Sequence, residues 1–220
     1  MGPAVKICGL TRAEDVRMCA RHGADIIGFV VDYPRPVPWN LNVQSAKTLM
    51  KSVPKPAKTC IVTGGRADKI LNIALETTPD YVQLHCGETP EDTTYIAGVL
   101  SKYGIKVIKA LFPDMPDLEH AAKNFSTTGV YALLLDPRTP DNAASGGIAN
   151  FSMYRKIRRA TCCPVILAGG ITPANVREAI SQTGAPAIDL MTGVECSPGV
   201  KNEAKVIELF DTLSRKGEAR

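Results

Sequence analysis

The chain has 220 residues, 45% of them hydrophobic, which is enough for one well-buried core. Its 26 basic and 22 acidic residues leave a net charge of only +4 and are scattered along the chain, so no nucleic-acid-binding surface is predicted. No apolar run approaches the roughly 20 residues of a membrane span, and no signal-peptide pattern opens the sequence, so we expect a soluble, cytoplasmic protein.

The first predicted element is a short apolar strand that ends in a cysteine-glycine turn. The segment Val5–Gly9 contains it, and a helix start follows at once. Thr11 is the predicted N-cap of this helix, with Glu14 as its capping-box partner three residues later. Because Cys8 lies at the tip of the strand, its thiol can face a ligand, although burial as a core thiol is the simpler interpretation.

Apolar runs alternate with amphipathic segments along the rest of the chain. The runs predict eight strands, at Ala4–Cys8, Ile26–Val30, Lys58–Val62, Tyr81–Leu84, Lys106–Ala110, Val130–Leu135, Val165–Ala168 and Ala187–Met191. A helix is predicted after each, at Ala13–Arg21, Val43–Lys51, Ala67–Glu76, Glu91–Tyr103, Asp117–Asn124, Phe151–Arg158, Pro173–Ser181 and Glu203–Ser214.

The predicted strands are typical of a parallel sheet. Several are almost continuously apolar, as in Tyr131–Leu135, which indicates strands covered on both faces. Eight strand-helix units in a chain of this length predict an α/β fold with one (β/α)8 barrel, a TIM barrel, as a single domain over residues 1–220. A doubly wound open sheet is the structural alternative.

Acid-base side chains occur where predicted strands end, which is where barrels of this kind bind ligands. Cys8 ends the first strand, Asp136 the sixth, and Asp189 lies near the tip of the eighth. An Asx-turn or a helix cap is the structural alternative for both aspartates. The sequence therefore predicts a candidate catalytic face with Cys8 and Asp136 on it.

Small residues follow the last two strands. Gly169 and Gly170 come after the seventh strand, and Thr192 and Gly193 after the eighth. These two tips commonly form the phosphate site of such barrels, where backbone amides and a helix N-terminus meet the anion. Glycines that only let the chain turn are the alternative. Two such turns in adjacent positions favour a phosphorylated small molecule as the ligand.

Six motifs occur in order over nearly the whole chain. They are Val5–Thr11, Gly23–Phe29, Val82–His85, Leu134–Asp136, Pro164–Gly170 with Pro173–Val176, and Gly193–Lys201. Together they resemble phosphoribosylanthranilate isomerase, a family of tryptophan biosynthesis. The resemblance implies a cofactor-free Amadori rearrangement, in which N-(5-phosphoribosyl)anthranilate becomes 1-(2-carboxyphenylamino)-1-deoxyribulose 5-phosphate.

The resemblance also implies roles for the strand-tip residues. Asp136 matches the general acid that protonates the ribose ring oxygen, and Cys8 matches the general base that removes the proton from C2. Asp189 matches an aspartate near the substrate's amino group. These roles require a lowered pKa for Cys8 and a raised one for Asp136. We do not assign the necessary positive charge to Lys6, because its side chain can point elsewhere.

The chain departs from the family pattern at three places on this face. Arg35 is the candidate for binding the anthranilate carboxylate, because a guanidinium group suits a planar anion. The family usually places its arginine later, in a Ser-Pro-Arg context, whereas Val31–Trp39 is short and rich in proline. Thr192 keeps one hydroxyl of a usual Val-Ser-Ser-Gly run, and Ile148 replaces the second glycine of the loop after the sixth strand.

Two other functions stay open. The barrel could isomerise a related phosphorylated sugar amine, including as a bifunctional tryptophan and histidine isomerase. A substrate with two phosphates favours a second phosphate site, for which Thr63–Arg66 is the only candidate, and a plain loop is its simpler interpretation. A non-catalytic barrel that binds a phosphorylated ligand is the other possibility. Such a barrel needs neither proton-transfer group, so the presence of both Cys8 and Asp136 argues against it.

No metal or cofactor is predicted, since the three histidines are dispersed and lack ligand spacing. They are His22, His85 and His120. A phosphorylated small molecule is the expected partner, and both a monomer and a homodimer are compatible with the sequence. The odd count of seven cysteines predicts reduced thiols rather than disulfides.

Overall fold

Eight parallel strands close on themselves into a barrel in the computed structural model, which describes residues 2–138 and 149–214. The strands in these described ranges are β1 (Ala4–Ile7), β2 (Ile26–Val31), β3 (Asn40–Leu41), β4 (Lys58–Thr63), β5 (Tyr81–Leu84), β6 (Lys106–Leu111), β7 (Ala132–Leu135), β8 (Val165–Ala168), β9 (Ala187–Leu190), β10 (Glu195–Ser197) and β11 (Val200–Lys201). β1 pairs with both β2 and β9, which closes the ring and excludes the open sheet. β3 adds to the outside of β2, and β10 and β11 form a separate hairpin.

Eight α-helices follow the barrel strands. They are α1 (Ala13–Arg21), α2 (Val43–Met50), α3 (Ala67–Thr77), α4 (Pro90–Ser101), α5 (Leu118–Ser126), α6 (Phe151–Ala160), α7 (Val176–Thr183) and α8 (Glu203–Ser214). Side-chain oxygens cap several of them, as in α4, where Thr89 and Asp92 form a capping box. None of the helices in the described ranges has the length and apolar character needed to cross a lipid bilayer.

The (β/α)8 prediction is confirmed, and most predicted elements differ from the observed ones only at their ends. The largest difference is at α7, which begins at Val176 and not at Pro173. The sequence analysis missed β3, β10 and β11, because strands of two or three residues are too short to show an alternating pattern. The single domain over residues 1–220 stays a prediction.

The prediction that Thr11 caps α1 is wrong. The N-cap is Arg12, which makes no capping side-chain bond, while the Thr11 hydroxyl donates to the carbonyl of Gly199 at 2.7 Å. Glu14 contacts the Arg12 guanidinium instead of the helix start. Thr11 therefore ties the start of α1 to the turn between β10 and β11, a contact between segments far apart in the sequence.

The barrel interior is filled by alternate residues of each strand, as the two-residue period of a strand requires. Ten buried residues, largely apolar, pack together there, among them Ile108, Leu134 and Ile166. A larger apolar cluster joins the outer side of the strands to the helices. Polar side chains occupy the barrel toward the carboxyl ends of the strands, where Lys6 and Asp189 pair.

A second buried ion pair holds together the carboxyl ends of β4, β5 and β6 outside the barrel interior. The Lys109 ammonium lies 2.6 Å from Glu88 Oε2 and 2.7 Å from the carbonyl oxygen of Cys86. Glu88 also accepts the amides of Gly65 and Cys86 at 3.0 and 3.1 Å. Burial lowers the pKa of Lys109, and the Glu88 carboxylate opposes this effect. The carboxylate is therefore needed to keep the buried lysine charged.

Replacing Glu88 with glutamine should lower the free energy of unfolding by about 3–5 kcal/mol, because it leaves the Lys109 ammonium buried and uncompensated. Urea denaturation measures this change. Asp68→Asn is the matched control, since it breaks the Arg66–Asp68 pair, whose side chains are 85% and 63% exposed, and should leave the midpoint unchanged. A wild-type midpoint for Glu88→Gln would contradict the structural role of the pair.

Candidate active site

A cavity opens at the carboxyl ends of the barrel strands. Apolar and aromatic side chains form one wall, and polar side chains form the other. The apolar wall is Val30, Tyr33, Val37, Trp39, Val62 and Met191. The polar wall is Cys8, Gln83, His85, Asp136, Arg138 and Asp189. Such a pocket suits a ligand with a flat apolar part and several polar groups.

Cys8 lies at the end of β1 with its thiol toward the barrel axis. Its amide donates to the carbonyl of Leu190 at 2.8 Å, which fixes the backbone against β9. The thiol lies over Gly28 of β2, where a β-carbon would be 2.8 Å from the sulfur. Glycine at position 28 therefore provides the space that the thiol occupies.

Burial raises the pKa of the Cys8 thiol and outweighs the opposing effect of Lys6, which is the strongest charge acting on it. This direction is opposite to the lowered pKa that the sequence analysis required of a base. Lys6 nevertheless lies below the thiol, because residues 6 and 8 of one strand point to the same side. The two-residue spacing could have shown this from the sequence.

Lys6 forms a buried ion pair with Asp189 inside the barrel. Its ammonium is 3.0 Å from both carboxylate oxygens, and the two residues are direct neighbours in the register of β1 and β9. Burial lowers the pKa of Lys6, but the Asp189 carboxylate together with the neighbouring Cys8 and Cys60 outweighs it, so the pKa is raised and the lysine is charged. Burial raises the pKa of Asp189 against the effect of Lys6.

Asp136, at the end of β7, is almost fully buried and accepts several hydrogen bonds. One carboxylate oxygen accepts the Arg138 amide and Nε, both at 2.9 Å. The other lies 2.7 Å from Arg138 Nη2 and 3.2 Å from His85 Nε2. The bond to the amide two residues ahead is the Asx-turn that the sequence analysis gave as the alternative. Asp136 thus forms the turn and lines the cavity as well.

The environment of Asp136 corrects one expectation of the sequence analysis. Burial raises the pKa of this carboxyl group, but hydrogen bonds from His85 and Arg138 outweigh burial and bring the pKa well below its ordinary value. A general acid needs the opposite direction. Any role of Asp136 as a general acid therefore has to be reconciled with the positive charge of Arg138 beside it.

The residues predicted for phosphate line a second cavity beside the first. Gly169 and Gly170 have φ angles of +94° and +61°, which favour glycine. At Gly193 a β-carbon would lie 1.9 Å from the carbonyl oxygen of Ile171, so no larger residue fits without moving the backbone. Thr192 also lines this cavity. The four predicted residues are therefore brought together.

Arg138 lines both cavities and is a site residue that was not predicted from the sequence. Its position two residues after Asp136, at the same strand end, is a signal that could have identified it. Ile148, which was predicted to replace a glycine of the family in the loop after the sixth predicted strand, lies outside the described residues.

A third buried ion pair supports the tip of β1 from the hairpin β10–β11. The Lys201 ammonium donates to the carbonyl of Cys8 at 2.6 Å and to Glu195 at 2.7 Å. The same Glu195 oxygen accepts the indole N–H of Trp39 at 2.9 Å. These bonds join the end of β1, where Cys8 lies, to an aromatic residue of the apolar wall. Sequence spacing gives no sign of such a contact.

Arg35 lies exposed on the segment after β2, and it is not among the residues that line either cavity. Tyr33 and Trp39 from the same segment are buried and face the first cavity. Tyr33 donates its hydroxyl to the carbonyl of His85 at 3.0 Å, which fixes this part of the segment over the barrel. The role of Arg35 stays a prediction.

Comparisons with known proteins agree over the whole chain. Residues 5–212 match the family model of N-(5'-phosphoribosyl)anthranilate (PRA) isomerase. The isomerase of Cereibacter sphaeroides is 35% identical over 96% of this chain and 98% of its own, and that of Acinetobacter calcoaceticus is 34% identical over 100% of both. A crystal structure of phosphoribosyl anthranilate isomerase from Thermotoga maritima has a TM-score of 0.82 at 30% identity, covering 96% of this chain and 98% of that one.

A further solved structure is that of a phosphoribosyl anthranilate isomerase in complex with reduced 1-(o-carboxyphenylamino)-1-deoxyribulose 5-phosphate. Its TM-score is 0.80 at 28% identity, with 96% of this chain and 98% of that chain covered.

Gly28→Ala should destabilise the barrel by about 1–3 kcal/mol, because the new methyl group overlaps the Cys8 thiol. The free energy of unfolding measures the effect, and a double-mutant cycle with Cys8→Ala identifies its cause. Removing the sulfur should reduce the penalty. Gly98→Ala is the control, since position 98 in α4 has no neighbour within 4 Å, and it should be neutral or stabilising. Equal penalties with and without the sulfur would contradict the contact.

Proposed function

The chain belongs to the N-(5'-phosphoribosyl)anthranilate isomerase family, whose members are enzymes of tryptophan biosynthesis, and we propose that Cys8 and Asp136 carry out its proton transfers. One observation carries this proposal. Both side chains line a cavity that adjoins a second one built from the glycines after β8 and β9. A substrate with a phosphate at one end and an aromatic ring at the other fits this pair of cavities.

The phosphate of the substrate binds in the second cavity in this proposal. Backbone amides of glycine turns suit an anion because they approach it closely and need no counter-charge of their own. Gly169, Gly170 and Gly193 supply such turns, and Thr192 adds a hydroxyl. The ribose then extends toward Asp136, and the anthranilate ring lies against the apolar wall of the first cavity.

Ring opening is the first chemical step. Asp136, when protonated, gives its proton to the ribose ring oxygen while the anilino nitrogen forms an iminium ion. The positive charge of the iminium is stabilised by a carboxylate, and Asp189 of the same cavity provides it. His85, 3.2 Å from Asp136, orients the acid.

Proton removal from C2 is the second step. The Cys8 thiolate takes this proton and gives an enolamine, which tautomerises to the ketone of the product. Thiolate formation needs positive charge, because burial opposes it. Lys6 below the thiol supplies one charge, and the iminium of the intermediate supplies a second. The reaction consists of proton transfers and requires no cofactor.

The remaining assignments are also proposals. Arg35 binds the anthranilate carboxylate, and a phosphorylated small molecule is the partner of the site. The protein acts in the cytoplasm, either as a monomer or as a homodimer.

A bifunctional isomerase with two phosphate sites is disfavoured by the loop after β4. The amide of Gly65, which a second phosphate needs, donates to the Glu88 carboxylate at 3.0 Å. Three carboxylates, those of Asp68, Glu88 and Asp92, line the same depression against one cation, Arg66, so its net charge is negative. A non-catalytic barrel is disfavoured as well, because Cys8 and Asp136 share one cavity.

The loss of fluorescence of freshly prepared phosphoribosylanthranilate tests the function. We expect turnover by the wild-type chain and a fall in kcat of about 10²–10⁴-fold for both Cys8→Ala and Asp136→Asn, since each removes one proton-transfer group. Cys162→Ala, which removes an exposed thiol far from the cavity, is the control and should be fully active. An inactive wild type would refute the function, and active variants would refute the assignment of the two residues.

Arg35→Ala tests the carboxylate site separately. If Arg35 binds the anthranilate carboxylate equally in the ground and transition states, KM should rise and kcat should stay close to the wild-type value. Steady-state kinetics with the same substrate measure both constants. Arg21→Ala, at an exposed position at the end of α1, controls for the loss of one positive charge. An unchanged KM for Arg35→Ala would remove Arg35 from the site.

A further inference from the structure

Asp136 and Arg138 form an ion pair that conflicts with the proposed role of Asp136. A general acid has to carry a proton when the substrate arrives. Arg138 contacts both carboxylate oxygens, at 2.9 Å through Nε and 2.7 Å through Nη2, a forked geometry that strongly favours the ionised carboxylate. Asp136 therefore cannot hold the proton of a general acid while this ion pair persists.

The same arginine borders the cavity that receives the phosphate. Arg138, Asp189 and Met191 are the described residues shared by both cavities, and Arg138 is the only cation among them. A phosphate group in the second cavity would compete with Asp136 for the guanidinium, because it offers more negative charge and likewise two oxygens for a bidentate contact.

We propose that Arg138 couples phosphate binding to the protonation of Asp136, pairing with the carboxylate until the substrate's phosphate enters and then turning to the phosphate. This inference rests on the proposed function and adds a positioning residue to it. Arg138 acts on the chemistry only through Asp136. A compound that fits the first cavity but lacks a phosphate then binds without allowing Asp136 to become protonated.

The charges around Asp136 determine what happens when Arg138 turns away. His85 from β5 remains 3.2 Å from the carboxylate and favours its ionised form. Asp189 from β9 and burial favour the protonated form. Lys6 from β1 lies 3.0 Å from Asp189, and Cys8 at the end of the same strand lines the cavity together with both aspartates. With its strongest cation gone, the buried carboxyl group has a higher pKa and is able to hold the proton that the ring oxygen receives.

Carbon-13 NMR of the full chain with labelled aspartate side chains tests this coupling, with Asp136→Asn used to identify the signal of Asp136. Inorganic phosphate is the probe, and the titration is run in a phosphate-free buffer with and without it. We expect phosphate to move the midpoint of the Asp136 signal upward by at least about one pH unit, as the loss of a nearby opposite charge does. A midpoint that does not respond to phosphate overturns the proposal.

Arg138→Met tests the identity of the coupling residue. The Asp136 midpoint should be raised without phosphate and should no longer respond to it, and affinity for inorganic phosphate should fall about 10- to 100-fold, the effect of one charged hydrogen bond. Arg138→Lys keeps the charge without the fork and should retain part of both effects. A wild-type response in Arg138→Met overturns the proposal.

Benzoate is the control anion, because it mimics the other negative group of the substrate. A shift caused by benzoate and not by phosphate overturns the phosphate-driven coupling. These NMR readouts do not depend on turnover. If Asp136→Asn stays active while the coupling is observed, the proposed function fails alone, and if it is inactive while the signal ignores phosphate, this inference fails alone.

Discussion

The pairing of β1 with both β2 and β9 is the interaction on which the site depends. Closure of the ring places Cys8 at the end of one strand and Asp189 on its neighbour, and it makes Lys6 and Asp189 direct partners in register. A lysine inside a barrel is tolerated only with an opposite charge beside it. The Lys6–Asp189 pair therefore fixes the register of these strands and also supplies the cation nearest to the Cys8 thiol.

Part of this site was predictable from the sequence, because parallel barrels bind their ligands where the strands end. Cys8, Asp136 and the glycines after β8 and β9 all follow apolar runs, and parallel closure brings such positions to one face. The fold was predictable for the same reason, since eight long apolar runs need no tertiary contact to be recognised. The hairpin β10–β11 was not, because its two short strands are fixed by Lys201 and Glu195 rather than by their own pattern.

The directions of the pKa shifts were beyond the sequence, because each is a balance of burial against partners distant in the chain. Burial raises the pKa of Cys8 although Lys6 is near. The pKa of Asp136 is lowered although the residue is buried, because hydrogen bonds from His85 and Arg138 outweigh the burial. Arg138 was the most accessible of these partners, lying two residues from Asp136. What the spacing could not give is the forked contact of its guanidinium group with both carboxylate oxygens.

In the proposed mechanism, the pKa of Cys8 and that of Asp136 are each shifted away from the value that the residue's role requires, and charges of the substrate oppose both shifts. The iminium of that mechanism adds positive charge near Cys8, and in the proposed coupling the phosphate competes for Arg138. The loop after β4 shows the contrasting use of a glycine turn, since the amide of Gly65 already binds the Glu88 carboxylate. That internal anion stabilises the barrel, whereas the glycines after β8 and β9 form a cavity beside the acid. An external phosphate can therefore influence the chemistry only from the cavity formed by the glycines after β8 and β9.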